Sequence, residues 1–187
     1  MIPSSREIVL QEDTVFNKVW FRFFEELNSK TRIDRNIKLG GLLSIDTTSA
    51  TNSGTGQTNL IQYSLAKNSL QNNGDIIEVE AWGVYATNAN NKNITLEFGS
   101  QTILTTGAIA ANGGAWRIKA KIIRTAAATE EIIAEIISGN SSVADSVTRT
   151  AGTQNLSNNT TIKCTATGGA SSDVTQYALL INLFPNS

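Results

Sequence analysis

Residues 79–125 read VEAWGVYATNANNKNITLEFGSQTILTTGAIAANGGAWRIKAKIIRT, and this stretch decides the fold. It holds four runs in which apolar and polar residues alternate: Val79–Tyr85, Ile94–Phe98, Thr102–Leu104 and Trp116–Ile122. Clusters of Asn, Gly, Ser and Thr separate the runs. Period-two alternation between turn residues is typical of half-buried antiparallel strands. The stretch therefore predicts a four-stranded antiparallel meander that the rest of the domain extends.

Six further short strands flank the meander. They are predicted at residues 42–47, 59–65, 129–137, 143–150, 160–165 and 174–184. Between them lie Gly-, Asn- and Ser-rich turns at regular spacing, which is typical of a sandwich or jelly roll. The predicted fold is mainly β, a jelly-roll-like antiparallel β-sandwich with one N-terminal amphipathic α-helix.

Residues 129–137, TEEIIAEII, fit two structures. The composition suits a helix, but β-branched Ile is dense and the neighbouring segments are strands, so we assign a strand. Apolar residues occupy both alternating sets of positions. This pattern predicts a strand that is buried on both faces or lies at an interface.

The N-terminal 32 residues differ from the rest of the chain. Glu7–Leu10 is a short extended segment, and a helix is predicted from Val15 after the N-cap candidates Asp13 and Thr14. Its apolar stripe consists of Phe16, Val19, Trp20, Phe23, Phe24 and Leu27. About four turns are marginally stable alone in water, so this stripe packs either on its own β domain or on another subunit or larger assembly. We favour assembly, and divide the chain into an attachment arm, residues 1–36, and a β domain, residues 37–187.

Composition excludes several classes of function. The net charge is −1 without a long basic run, so no nucleic-acid partner is expected. No apolar run has membrane-spanning length and the N-terminus lacks a signal-peptide layout, so we expect synthesis in the cytoplasm and no membrane insertion. The chain has no His and one Cys, Cys164, which excludes an internal disulfide, serine–histidine triads, thiol proteases and zinc hydrolases. Cys164 is expected to be a buried, inert thiol.

Carboxylates and aromatic residues of the β domain are the remaining candidates for chemistry. Glu78 and Glu80 share a strand face, with Glu97 expected nearby, and such a set could serve a glycosidase. Alternating Glu is more typical of a solvated strand face, and we expect no catalytic residue, cofactor or metal. Trp82, Tyr85, Trp116 and Tyr177 could stack on sugar rings if they are exposed. Core packing is favoured, because Trp82 and Trp116 alternate with other apolar positions in their strands.

The whole arrangement resembles small structural proteins of tailed bacteriophages, of the head-decoration (cement) or fibre type. The resemblance rests on the extended start, the Trp20–Leu27 helix and a Thr/Asn-rich β domain, in which the following elements fall in similar order: Asn59-Leu60, Leu70, Asn73-Gly74-Asp75, Gly83, Asn91-Lys92 before Ile94, Phe98-Gly99 and Trp116.

The resemblance implies a homotrimeric, non-enzymatic virion protein made in the host cytoplasm. Its implied partners are other capsid or tail proteins and a host-surface glycan. Two other classes stay open: a carbohydrate-binding β-sandwich module that uses Trp82, Tyr85 or Trp116, and a glycosidase that uses Glu78, Glu80 or Glu97.

Overall fold

The computed structural model describes residues 40–140 and 144–186, and residues 40–186 form one compact unit. The described residues are organised as strands and loops, so none of them belongs to a helix that could cross a membrane. The strands are β1 (Gly41–Asp46), β2 (Ala50–Thr51), β3 (Thr58–Leu65), β4 (Ile76–Tyr85), β5 (Asn93–Phe98), β6 (Gln101–Thr105), β7 (Ala115–Ala126), β8 (Thr129–Ser138), β9 (Ser146–Gly152), β10 (Thr160–Thr167) and β11 (Val174–Phe184).

Two antiparallel sheets pack face to face. The larger sheet has the order β1-β11-β4-β7-β8-β9, with β2 also pairing with β11, and the smaller sheet has the order β3-β10-β5-β6. A single core lies between the sheets, and in β4 every second side chain enters it. The edge strands β1 and β9 contribute no side chain to this core. Mainly β, sandwich-like architecture is therefore confirmed, because the alternation that reports a half-buried strand is a local property of the sequence.

All ten predicted strands are found, with ends that differ by a few residues, and Thr129–Ser138 is confirmed as a strand. Only the two-residue strand β2 was missed, since residues 48–58 are small and polar. The predicted helix and the domain boundary near Asn36 lie outside the described residues.

The predicted meander is wrong, because its four strands divide between the two sheets. β4 and β7 are neighbours in the larger sheet, whereas β5 and β6 form a hairpin in the smaller one. The two-residue link Gly99-Ser100, with Gly99 at a φ of 62°, forces a hairpin. The longer links before β5 and after β6 instead cross the roughly 10 Å between the sheets. Two Asn-rich segments, residues 88–91 and 155–159, accordingly lie in crossing loops, not at the hairpin tips that we expected.

Gly83 and Trp116 are register partners at the centre of the larger sheet. The indole of Trp116 is buried and lies over the Gly83 backbone, so a Cβ at position 83 would lie 2.6 Å from its Cζ2 atom and would also collide with the carbonyl oxygen of Thr175. Glycine inside a strand often marks such a close approach. The largest side chain of the core therefore requires the absence of a side chain at position 83.

A buried ammonium group joins loops at one end of the sandwich. Lys92 Nζ donates hydrogen bonds to the backbone oxygens of Asn88 (3.0 Å), Asn90 (3.0 Å) and Ala111 (2.7 Å), and to Asn88 Oδ1 (2.8 Å). The side-chain amides of Asn88 and Asn90 donate in turn to the buried carboxylate of Asp173, at 2.7 and 3.1 Å. The loops that precede β5, β7 and β11 are thus held together by one network.

The pKa values of Lys92 and Asp173 are both lowered from their usual values. Burial lowers the pKa of Lys92, and the negative charge of Asp173 opposes that shift in part. Burial alone would raise the pKa of Asp173, but hydrogen bonds from Asn88, the Ala170 backbone and Asn90, with the positive charge of Lys92, outweigh it and hold the pKa below its usual value. Asp173 is therefore charged in the folded protein at neutral pH.

Replacing Gly83 with Ala should destabilise the domain, because either the Trp116 ring or the β11 backbone must move. Overpacking of this kind costs about 1–3 kcal/mol, measurable as a lower urea midpoint. Gly56→Ala is the matched control, since a Cβ there meets nothing within 4 Å. Equal midpoints for the two variants would contradict the proposed role of Gly83.

Asp173→Asn should destabilise the protein at pH 7 by about 3 kcal/mol, because the buried Lys92 charge loses its counter-charge. The folded pKa of Asp173 lies below its unfolded value of about 3.9, so its contribution is fully present above that value and is lost as pH falls through the folded pKa. Urea unfolding at pH 7 and near pH 2 should therefore show a smaller difference between variant and wild type in acid. Asp145→Asn, at an exposed position, is the control. A difference that does not change with pH would contradict this account.

Candidate functional site: the outer face of the larger sheet

The outer face of the larger sheet is the surface that points away from the smaller sheet. Its side chains alternate with core residues on β11, β4, β7 and β8, and the strand register extends it onto β1 and β9. The register places Glu78 beside Lys121, Lys121 beside Ile133, and Ile133 beside Arg149. Paired residues project from the same face of an antiparallel sheet. These four side chains therefore form one row across four strands, and neighbouring rows repeat the arrangement.

Charge on the outer face alternates in sign from strand to strand. β4 is acidic, β7 is basic, β8 is acidic and β9 is basic. The charged residues are Glu78 and Glu80 on β4, Arg117, Lys119 and Lys121 on β7, Glu131 and Glu135 on β8, and Arg149 on β9. Acids and bases are equal in number, so the face has no net charge.

The charged residues of one strand form a column of one sign, and ion pairs connect the columns of β4 and β7 and those of β8 and β9. Lys121 Nζ lies 2.9 Å from Glu78 Oε1, Lys119 Nζ lies 4.0 Å from Glu80 Oε1, and Arg149 pairs with Glu131. Exposed pairs contribute only about 0–1 kcal/mol to stability, so these charges mainly determine what the face can bind. Among the described residues, Glu135 is the one acid of the outer face that makes no ion pair.

A concavity of about 460 Å³ lies at the centre of the outer face. Its outward-facing lining consists of Glu78, Glu80, Lys119, Lys121, Ile133, Glu135, Val147, Leu180 and Asn182. Carboxylates, ammonium groups and aliphatic side chains therefore meet in one depression, which can both desolvate an apolar group and pair a charged one.

Exposed large apolar side chains in the described part of the chain belong to strands of the larger sheet. They are Leu42, Leu43 and Ile45 on β1, Ile133 and Ile137 on β8, Val147 on β9, and Tyr177 and Phe184 on β11. Val147 is 65% exposed and Ile133 is 46% exposed. An antiparallel sheet with one solvated face normally has polar residues there. A concentration of apolar residues on one face instead indicates an interaction surface.

The aromatic candidates separate between core and surface. Tyr85 and Trp116 are buried, which confirms core packing for both, and burial raises the pKa of the Tyr85 hydroxyl above its usual range. Trp82 lies partly exposed on the outer face, so core packing is wrong for this residue. Core packing is also wrong for Tyr177, which is 46% exposed and precedes Ala178, the register partner of Trp82.

The carboxylates that we considered for glycoside hydrolysis are on different sheets. Glu78 and Glu80 share the outer face of the larger sheet as expected, and both pair with basic residues of β7. Glu97 lies on β5 of the smaller sheet, where its Oε2 is 3.1 Å from Lys163 Nζ. Its expected proximity to Glu78 and Glu80 is wrong, because the chain crosses between sheets after β4.

Cys164 lies in the core, as expected, and burial raises the pKa of its thiol to about 12. Glu130 is also buried, with its pKa raised by burial, and its Oε2 accepts a hydrogen bond from the Gln154 backbone at 3.1 Å.

Within residues 40–140 and 144–186, no group of three or more Cys, Asp or Glu residues is arranged to hold a metal ion. The proposed attachment residues Phe16, Val19, Trp20, Phe23, Phe24 and Leu27 lie outside the described residues.

Sequence reasoning found part of the outer face. The two-sided apolar pattern of residues 129–137 predicted burial on both faces or an interface, and the structure shows Ile132 and Ile136 in the core with Ile133 and Ile137 exposed. Val147 carried no such signal because VADSVTRT alternates weakly. Lys92 also carried no signal in the sequence, where it is a single Lys within an Asn-rich loop. Its burial depends on carbonyl oxygens that only the loop conformation brings together.

Comparison with known proteins finds weak similarity among solved structures. No family model matches it, and no curated protein does. Among solved structures it is similar to the CBM2 module of the evolved Dit of Lactobacillus casei BL23 phage J-1, with 8% identity, a TM-score of 0.35, and coverage of 74% of this chain and 77% of that one. It is also similar to the infectious bursal disease virus VP2 subviral particle, with 12% identity, a TM-score of 0.28, and coverage of 74% and 30%. Likenesses this weak carry no inference about function.

Proposed function

We propose that the protein is a non-enzymatic structural component of a tailed-bacteriophage particle, of the capsid-decoration (cement) or tail and fibre type. In this proposal its β domain is a jelly roll, the chain forms a homotrimer, and the N-terminal arm docks it onto other capsid or tail proteins. It is made in the host cytoplasm and resides in the virion. A host-surface glycan is a further candidate partner.

The observation that carries the proposal is the distribution of exposed apolar residues. They lie on strands of one sheet, together with a set of charges that sums to zero. A neutral, partly apolar face fits a protein surface of similar composition better than it fits a polyanion. The strand order, in which β1 lies beside β11 and most connections cross between sheets, supports the jelly-roll assignment.

Particle incorporation tests the role of the N-terminal arm. The double variant Trp20→Ala/Phe23→Ala removes two members of the apolar stripe and leaves the β domain unchanged. We expect it to keep the wild-type far-UV circular dichroism of the strands but to be lost from purified particles of the phage that encodes the protein. The control is Lys18→Ala/Glu25→Ala on the opposite side of the predicted helix. Normal incorporation of the aromatic double variant would refute docking through the arm.

Molecular mass in solution tests trimerisation. Light scattering on the full chain should give three times the 20.0 kDa of one chain. A monomer would remove the trimer from the proposal and favour a binding module.

The second candidate is a carbohydrate-binding module, and one observation favours it. Trp82 is partly exposed and Tyr177 is exposed near it, beside a concavity lined by Glu80 and Asn182. Aromatic rings beside hydrogen-bonding side chains are the usual means of binding a sugar.

Trp82→Ala should then abolish binding on a glycan array, because the ring supplies the stacking surface. Phe184→Ala, which removes an exposed aromatic ring elsewhere on the same sheet, should leave binding intact. Absence of glycan binding by the wild-type chain would eliminate this candidate.

A further inference from the structure

We infer that the four strands β4, β7, β8 and β9 form a contact between two copies of this chain, related by a two-fold axis that runs parallel to the strands between β7 and β8. This contact goes beyond the proposed function, because it uses the outer face of the larger sheet and not the N-terminal arm.

The first argument is the order of the charge columns. From β4 to β9 the signs run acidic, basic, acidic, basic. Rotation about an axis parallel to the strands reverses this order, so β7 lies over the partner's β8 and β4 lies over the partner's β9. Every column then meets a column of opposite sign. A two-fold axis perpendicular to the strands would place each column over itself, acid on acid. The face is thus complementary to itself in only one of these two orientations.

The second argument is the register. Rotation about an axis parallel to the strands leaves each residue's position along the strand direction unchanged. Lys119 and Glu135 are register partners, so they lie at the same position along the strands. Lys119 therefore lies opposite the partner's Glu135, close to the axis. Glu135 is the acid of the outer face without an ion pair in the described part of the chain. One row away, Glu78 lies opposite the partner's Arg149, because both belong to the row Glu78–Lys121–Ile133–Arg149.

The third argument is the placement of the apolar residues. Ile133 shares its row with Lys121, and Ile137 shares its row with Arg117. In the rotated copy these isoleucines lie over the aliphatic stems of the partner's basic residues. Lys and Arg commonly cover apolar surface with their stems while their charged ends pair elsewhere. The contact therefore removes Ile133 and Ile137 from water without burying an unpaired charge.

The size of the contact determines its strength. Four strands about 4.8 Å apart, with outward residues spread over about 15 Å, span roughly 300 Å² of sheet area per copy. The two copies together then bury roughly 600 Å², well below the ~1,200–2,000 Å² of stable interfaces, so the contact is weak in solution. We expect association at high concentration, or where a particle holds copies side by side.

The test is a mixing experiment on the full chain. Lys119→Glu places two acids opposite each other across the axis, and Glu135→Lys places two bases there. In a mixture, one copy of each variant restores an acid–base pair at both symmetry-related positions. Sedimentation equilibrium from roughly 10 μM to 1 mM should show wild-type mass doubling relative to its low-concentration species. Each variant alone should associate at least tenfold more weakly, and the equimolar mixture should recover wild-type association.

Recovery on mixing cannot arise from contacts within one chain, because each chain keeps its own substitution. Val147→Asp, an exposed change on β9, should also weaken doubling, whereas Gln62→Asp on the outer face of the smaller sheet should not. Each copy has one such face, so a monomer would double in mass and a trimer, with three faces, would grow at least twofold. Growth relative to the low-concentration species therefore tests the contact whether or not the arm makes a trimer. Absence of doubling in the wild type, or variants that associate like the wild type, would overturn the inference.

Discussion

Apolar side chains of β4 and β7 lie side by side in the core, with Ile77 paired to Ile122, Val79 to Ala120 and Ala81 to Ile118. These pairs set the register of the two central strands of the larger sheet, and Trp116 on Gly83 extends the same strip. A slip of either strand by one residue would exchange its two faces and bring Glu78, on β4, or Lys121, on β7, into the core. The charge pattern of the outer face is therefore a consequence of core packing, because each outward residue is positioned by its inward neighbours.

Buried polar groups hold the loops in place where the apolar core does not reach. Asn52 accepts a hydrogen bond from the Val174 backbone and donates to the Ala170 carbonyl, so it joins the segment after β2 to the start of β11. The Lys92–Asp173 network does the same for the loops that cross between the sheets. Such groups are costly to bury without partners, and here nearly all their hydrogen bonds are satisfied by backbone oxygens and amides. Crossing loops of this kind are what separate a sandwich from a meander.

The outer face of the larger sheet combines three properties that seldom occur together on a solvated sheet. It is neutral, it alternates in charge from strand to strand, and it exposes branched aliphatic residues such as Ile133 and Val147. Neutrality disfavours a polyanionic partner, and the apolar residues favour one that excludes water. A second protein surface meets both conditions, and another copy of the same face meets the charge pattern as well. An assembly protein is consistent with these properties, since its function is carried by surface complementarity.

The sequence by itself determined the strands, their approximate ends and the presence of a two-sided apolar segment at residues 129–137. It could do so because alternation and turn residues are local signals. The tertiary structure decided which sheet each strand enters, since residues 88–91 and the segment after β6 are long enough either to turn back or to cross. It also decided that Glu97 lies away from Glu78, that Trp82 faces outward while Trp116 is buried, and that Lys92 is enclosed by oxygens. These outcomes depend on packing between segments distant in the chain, and a period-two pattern has no information about which distant face will cover a given strand.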